Sequence, residues 1–183
     1  MFYVGIVGHR YLRNSAAARF VFEQSQSVLR KTRLEHGVVT ALSAIAEGAD
    51  TLFAEAALSL AVPLEIVRPF TTYDKDFEST AAIKRYERLR AAARCETELP
   101  FKDRSNDAYR VAMGWIVDAS DFLVVAWDGR PAIASGGTGH AVQRLNTMAK
   151  PWLHLDVNGL SARLKPGIKL NHGNIARQLQ TTN

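Results

Sequence analysis

Two hydrophobic periods alternate along the chain. Residues 2–7 form a short apolar run closed by Gly8, which predicts a buried strand. From about Ser15 the spacing becomes helical: Ala18, Val21, Phe22, Ser25, Val28 and Leu29 share one face, and Gly37 stands where a C-terminal cap belongs. Residues 38–42 predict a second strand. A second helix begins near Ala49 and carries Leu52, Phe53, Ala56, Ala57 and Leu60; Pro63 then precedes a third strand at 64–67. Residues 68–76, with Pro69 and several polar side chains, predict a loop. Ile83, Tyr86 and Leu89 mark a basic helix that also takes in Cys95, and Leu99-Pro100-Phe101 interrupts it. The helix from near Ser105 buries Ala108, Tyr109, Ala112, Met113 and Ile116. The run Asp-Phe-Leu-Val-Val-Ala-Trp at 121–127 predicts a central strand. A glycine-rich turn, a helix from about Gly139 to Ala149 and a strand at 151–155 follow. The tail from Asp156 onward contains Gly159, Pro166, Gly167 and Gly173 and is expected to add a short strand or helix.

Strands that alternate with helices, and that are near-continuously apolar, predict a mainly parallel sheet covered on both faces. The expected fold class is therefore α/β: a Rossmann-like three-layer sandwich with about five to six strands. A length of 183 residues suits one domain, residues 1–183, in which the tail from about 157 stays unassigned. The hydrophobic fraction of 47% and charged fraction of 22% are ordinary for a globular protein, and no apolar run approaches the length that spans a bilayer. No membrane partner is expected. The first residues read as a strand, not a signal peptide, and Cys95 is the one cysteine, so no internal disulfide or thiolate metal cluster can form. A cytoplasmic protein without a metal is the simplest expectation.

Ligand chemistry follows from the sheet. In an open parallel sheet, ligands bind beyond the carboxyl ends of the strands, where strand order reverses. For an order 3-2-1-4-5 of the five predicted strands, that point lies between the first strand and the one ending at Trp127. The loops leaving those two strands carry Gly8, His9 and Arg10 on one side, and Asp128 with Ser135-Gly136-Gly137-Thr138-Gly139 on the other. Glycines let backbone N–H groups close on one anion, a helix N-terminus attracts phosphate, Thr138 adds a hydroxyl, and Arg10 adds a charged donor. A third segment, at 43–50, offers Ser43, Glu47 and Asp50. Glu47 is suited to accept from a ribose or to orient a base or water, and is the one candidate for a catalytic group; Asp50 is expected to cap helical N–H groups. Ser135 lacks the G-x-S-x-G context of a hydrolase nucleophile. No cofactor is required, and a nucleotide ligand is expected.

These segments resemble the SLOG superfamily, which joins Lonely Guy (LOG) cytokinin-activating enzymes to the DNA-processing protein A family. Gly5-Ile6-Val7-Gly8-His9-Arg10 looks like its first strand and ligand loop. Ser43-x-x-Ala46-x-Gly48-x-Asp50 is similar to the Ser-Gly-x-Ala-x-Gly-Ile-Asp signature of the DNA-processing branch, and Gly136-Gly137-Thr138-Gly139 matches the Gly-Gly phosphate loop. The resemblance spans most of residues 1–156. It implies a Rossmann-like fold that binds nucleotides, nucleotide-derived signals or single-stranded DNA, and a homodimer. One departure bears on chemistry. LOG phosphoribohydrolases carry Pro-Gly-Gly-x-Gly-Thr-x-x-Glu with a catalytic glutamate; alignment puts Ser135 at the proline, His140 at the threonine and Gln143 at the glutamate, and the glutamine amide cannot titrate.

Three readings follow, in this order: a module that binds a nucleotide or nucleotide-derived ligand, as in a sensor; a nucleoside 5'-monophosphate phosphoribohydrolase; and a single-stranded DNA binder. The formal charge of +5, concentrated at residues 30–33 and 84–94 and in the tail, favours anionic partners in general. Those basic stretches also fit solvated helix faces, and few aromatic residues interleave with them.

Overall fold

The protein is described by a computed structural model that covers residues 1–130, 137–165 and 167. In chain order the elements are β1 (Phe2–Gly8), α1 (Ser15–His36), β2 (Val39–Ser43), α2 (Ala49–Ser59), β3 (Leu64–Arg68), a 3-10 turn (Tyr73–Asp76), α3 (Thr80–Ala92), β4 (Cys95–Glu98), α4 (Asn106–Ala119), β5 (Phe122–Trp127), α5 (Thr138–Met148), β6 (Trp152–Asp156) and β7 (Ser161–Lys165).

The strands form one seven-stranded sheet in the order β4-β3-β2-β1-β5-β6-β7. All neighbours are parallel except β6 and β7. This is the expected Rossmann-like α/β architecture, and the five strands read from the sequence take the expected order. Two further strands flank them. β4 lies where the basic helix was expected to continue, so Cys95 opens an edge strand and is not helical. β7 is the tail's contribution, pairing antiparallel from Trp152↔Lys165 to Asp156↔Ser161.

Alternation along the strands divides the core into two layers. Val4, Ile6, Val124 and Ala126 pack with α1 and α2 residues such as Val21, Leu29 and Phe53, whereas Val7, Leu123 and Val125 pack with Ile116, Val117 and Leu145 of α4 and α5. The large residues of these layers, Phe53, Leu29 and Ile116 among them, are fully buried.

The helix starts differ in a way that matters for the site. Asn14, Ser79 and Ser105 cap α1, α3 and α4. Each side-chain oxygen accepts from a backbone N–H in the first turn of its helix, at Ala17, Ala82 and Ala108 respectively. α2 and α5 instead begin on Gly48 and Gly137, with no side-chain cap. Both of these starts face the carboxyl edge of the sheet.

Candidate functional site

Between the carboxyl ends of β1 and β5 lies a cleft of about 550 Å³. That is the size of a small-molecule site, at the position where strand order reverses. Its walls come from the loop after β1 (Gly8, His9, Arg10), from Asp128 after β5, and from Gly137, Thr138 and Gly139 at the start of α5. Ala112, Met113 and Ile116 of α4 supply an apolar side.

The β1 loop is braced from below. A Cβ on Gly8 would stand 2.6 Å from Cβ of Ala49 and 2.9 Å from Cβ of Ala126, so only glycine lets the strand end this close to α2 and β5. Gly48 has φ +94°, and a Cβ there would lie 2.0 Å from the Arg10 carbonyl oxygen. The Ala49 N–H donates to the His9 carbonyl at 3.1 Å. The Gly8-His9-Arg10 loop and the Gly48 turn are thus one packed unit.

Arg10 lines the cleft with its guanidinium already paired. Its guanidinium forms an ion pair with Asp76, whose side chain is 1% exposed, and lies 3.4 Å from the Tyr109 hydroxyl. The Tyr109 hydroxyl donates to the same Asp76 oxygen at 2.5 Å, and Arg104 approaches the other oxygen at 3.2 Å. Burial opposes charge on Arg10, but the hydrogen bond and charge of Asp76 more than offset it and hold the guanidinium protonated above its ordinary range. Burial, with the hydrogen bond to Asp76, pushes Tyr109 up to about 12.

Asp50 is the second buried acid at this wall. It is the second residue of α2, not its cap, and it lines the cleft. Burial drives its carboxyl up to about 7, against the opposing effects of the Ala46 N–H, the Arg10 charge and the Ala44 N–H. Beside it, Tyr73 is fully buried yet also lines the cleft, and its hydroxyl has no hydrogen-bond partner among the described residues.

The other expected site residues separate clearly. His9 Nε2 lies 3.1 Å from both the Asp128 backbone N–H, from which it accepts, and the Asp128 carboxylate, so the two loops meet across the cleft. Burial alone would raise Asp128, but the Arg130 N–H and His9 draw it below the usual carboxylate range. Ser43 is fully buried beneath the site; its oxygen accepts from the Ile45 N–H at 2.9 Å and its hydroxyl donates to the Asp50 carbonyl at 3.3 Å, so it holds the turn and does not line the cleft. Glu47 is partly buried and also lies outside the cleft lining. Ser135 and Gly136 fall outside the described residues. Gln143 is exposed and not part of the lining. Arg68, whose sequence neighbours Asp74 and Asp76 offer ready partners, instead binds Glu96 and Glu98, each at 2.8 Å. Nothing local in the sequence marks Asp76, Tyr73 or Tyr109 as site residues: the first two sit in a stretch that reads as a loop, the third in one that reads as core.

Several solved structures share this architecture. DNA processing protein A from Streptococcus pneumoniae superimposes with a TM-score of 0.60 at 16% identity, over 95% of this chain and 53% of that one. The same protein from Helicobacter pylori, solved to explain its single-stranded DNA binding mode, gives 0.58 at 16%, over 91% and 68%. The chain shares the Rossmann-like fold of these structures. The molybdenum cofactor carrier protein from Chlamydomonas reinhardtii shares it too, with a TM-score of 0.53 at 15% identity over 85% of this chain and 76% of that one. The chain spans about half the length of the Streptococcus protein. No family sequence model and no curated protein sequence matches the chain. At such identities the likeness concerns the fold, and function has to come from the site.

No group of three or more His, Cys, Asp or Glu among the described residues could hold a metal ion. No helix among them is long and apolar enough to cross a membrane.

Proposed function

We propose that the chain binds a nucleotide or nucleotide-derived ligand in this cleft, with the phosphate at Gly137-Thr138-Gly139 and the remainder lying toward α4 and Asp50. The observation that carries the reading is the contrast between the two helix starts at the cleft. α2 has Asp50 in its first turn and donates the Ala49 N–H to the His9 carbonyl. α5 has neither a side-chain cap nor an acid in its first turn. An anion is therefore favoured at α5 by both the helix dipole and the N–H groups of its first turn. The apolar side formed by Ala112, Met113 and Ile116 suits a base.

The test is a thermal-shift and calorimetry panel of nucleoside 5'-monophosphates against the wild type and Gly137→Asp. Aspartate is a good N-cap, so the variant keeps the helix start while placing a carboxylate where the phosphate sits. The expected outcome is stabilisation of the wild type by at least one nucleotide and loss of that response, by roughly 100-fold or more in affinity, in the variant. A wild type that answers to no nucleotide sinks the reading.

Hydrolysis of the N-glycosidic bond is a second reading, favoured by one feature: Asp50 is a buried carboxyl in the cleft lining, and burial pushes its pKa up to about 7, the range that suits a general acid. Chromatography of the best-binding nucleotide after incubation separates the two, since turnover releases free base and ribose 5-phosphate. Single-stranded DNA binding loses support from the basic stretch it relied on. Arg85 and Arg88 both pair with Glu55, at 2.5 and 2.6 Å; Arg90 pairs with Glu96 at 2.6 Å, and Arg94 pairs with Glu65.

A further inference from the structure

Resting on the nucleotide reading, we propose that Tyr73 and Asp50 form a subsite for the ribose diol of the ligand, and that this subsite distinguishes ribonucleotides from 2'-deoxyribonucleotides.

The Tyr73 hydroxyl has no structural task. Its ring meets Phe70, Phe77 and Tyr86 edge-on, with centroids 5.2, 5.5 and 5.7 Å apart, and a phenylalanine would make the same contacts. Tyr73 is one of the residues that line the cleft, and its hydroxyl is buried behind that lining without a partner among the described residues. A buried polar group left unpaired has lost its water without gaining a partner, which destabilises the fold. A ligand group that completes the bond removes that penalty.

Asp50 has the same character. The Ala46 and Ala44 N–H groups favour its charged form only in part against burial, and no ion pair among the described residues includes it. It lies close enough to Tyr73 for its charge to be felt at the phenol: burial raises the Tyr73 pKa first, and the Asp50 charge adds to it. One wall thus offers a hydroxyl that both donates and accepts, next to a carboxyl that accepts.

The neighbouring charges define what fits. Arg10 is matched by Asp76, which also takes the Tyr109 hydroxyl, so the nearest cation is already neutralised by a buried acid. A second phosphate would meet Asp50, with Arg10 already engaged by Asp76. A neutral group with two hydroxyls meets complementary partners: one hydroxyl donates to Asp50, and the other accepts from Tyr73. In a nucleotide whose phosphate sits at α5, that group is the 2',3'-diol of the sugar.

The experiment measures affinity for matched pairs of ribo- and 2'-deoxyribonucleoside 5'-monophosphates by calorimetry on the full chain, in the wild type, Tyr73→Phe and Asp50→Asn. The wild type is expected to prefer the best ribonucleotide by about tenfold or more, because a site built to bond a hydroxyl rejects the analogue without it. In Tyr73→Phe the ratio should fall to within about twofold, while the melting temperature stays level or rises because an unpaired buried hydroxyl is gone. Asp50→Asn should reduce the ratio as well, with the side-chain shape kept. A wild type that binds both sugars equally, or a preference that survives both substitutions, overturns the subsite while the nucleotide reading stands. Absence of binding by every nucleotide of either sugar overturns both together.

Discussion

The two sides of the cleft start from similar local sequences and end in opposite states. Each has a glycine at a helix start without a side-chain cap, Gly48 for α2 and Gly137 for α5. On the α2 side everything is tied down: Gly48 presses on the Arg10 carbonyl, Ala49 bonds His9, and Arg10, Asp76 and Tyr109 close a buried charge network. On the α5 side the first turn carries no acid and takes no side-chain cap. The lesson is that a glycine helix start is not by itself a phosphate site. What distinguishes the two is whether the protein has already supplied the negative charge and the acceptors.

The strongest way to break this contrast is to untie the α2 side. Asp76→Ala leaves Arg10 partly buried without its counterion and should destabilise the fold by about 4 kcal/mol, the usual consequence of breaking a buried pair. Chemical denaturation would reveal it as a shifted midpoint, and a loss under about 1 kcal/mol, the range of a surface pair, would mean that the network is not structural.

Asp50 provides a titration of the same wall. Its folded pKa is raised from 3.8 to about 7, so the protonated form is the one the fold favours. The stability it contributes is fully present below about pH 4 and is lost as pH rises through 7. Over the stretch from pH 5 to pH 8 the loss is on the order of 3 kcal/mol, because each tenfold difference in proton affinity corresponds to about 1.4 kcal/mol. Asp50→Asn should therefore flatten the decline in melting temperature across that interval. A parallel decline in the variant would assign the effect elsewhere.

A smaller effect is expected from Gly48→Ala, at roughly 2 kcal/mol, since the residue would be held at positive φ and driven into the Arg10 carbonyl. Thermal unfolding tests it; an unchanged melting temperature would show that the two loops are not braced against each other. The smallest effect sharpens the comparison from the open side. Gly137→Asp, although expected to abolish phosphate binding, should change stability by no more than about 0.5 kcal/mol, and upward. If it unfolds the protein in the way that Asp76→Ala does, the α5 start is tied down as firmly as the α2 start.

Much of the fold is legible in the sequence, and the exceptions share a cause. β1, β2, β3, β5 and β6 carry apolar runs that a periodicity argument finds, and the first four of these are buried along most of their length. β4 is Cys-Glu-Thr-Glu and β7 is Ser-Ala-Arg-Leu-Lys, edge strands that carry no such run and exist because a neighbour offers its backbone. The site divides in the same way. Gly8, His9, Arg10, Asp128 and Gly137 to Gly139 follow from topology, because a switch point dictates which loops meet. Asp76 and Tyr73 lie on one turn of 3-10 helix in a stretch that reads as a loop, and Tyr109 reads as core. Their meeting with Arg10 and Asp50 is a tertiary fact with no local signature. Ser43 and Glu47 mislead for the converse reason: their residue types suit a ligand, but the turn directs Ser43 inward and leaves Glu47 off the cleft.

The contact between Gly48 and the Arg10 carbonyl has a practical consequence for anyone who recombines such domains. The two loops pack as a single unit although they are far apart in the chain. A chimaera that imports a foreign loop after β1 while keeping the native turn before α2, or the reverse, would join surfaces shaped for other partners. Its defect would show as lost stability at the cleft wall. Exchanging both segments together is the graft that keeps the pocket, and a second-site change in one loop is where suppressors of damage to the other should be sought.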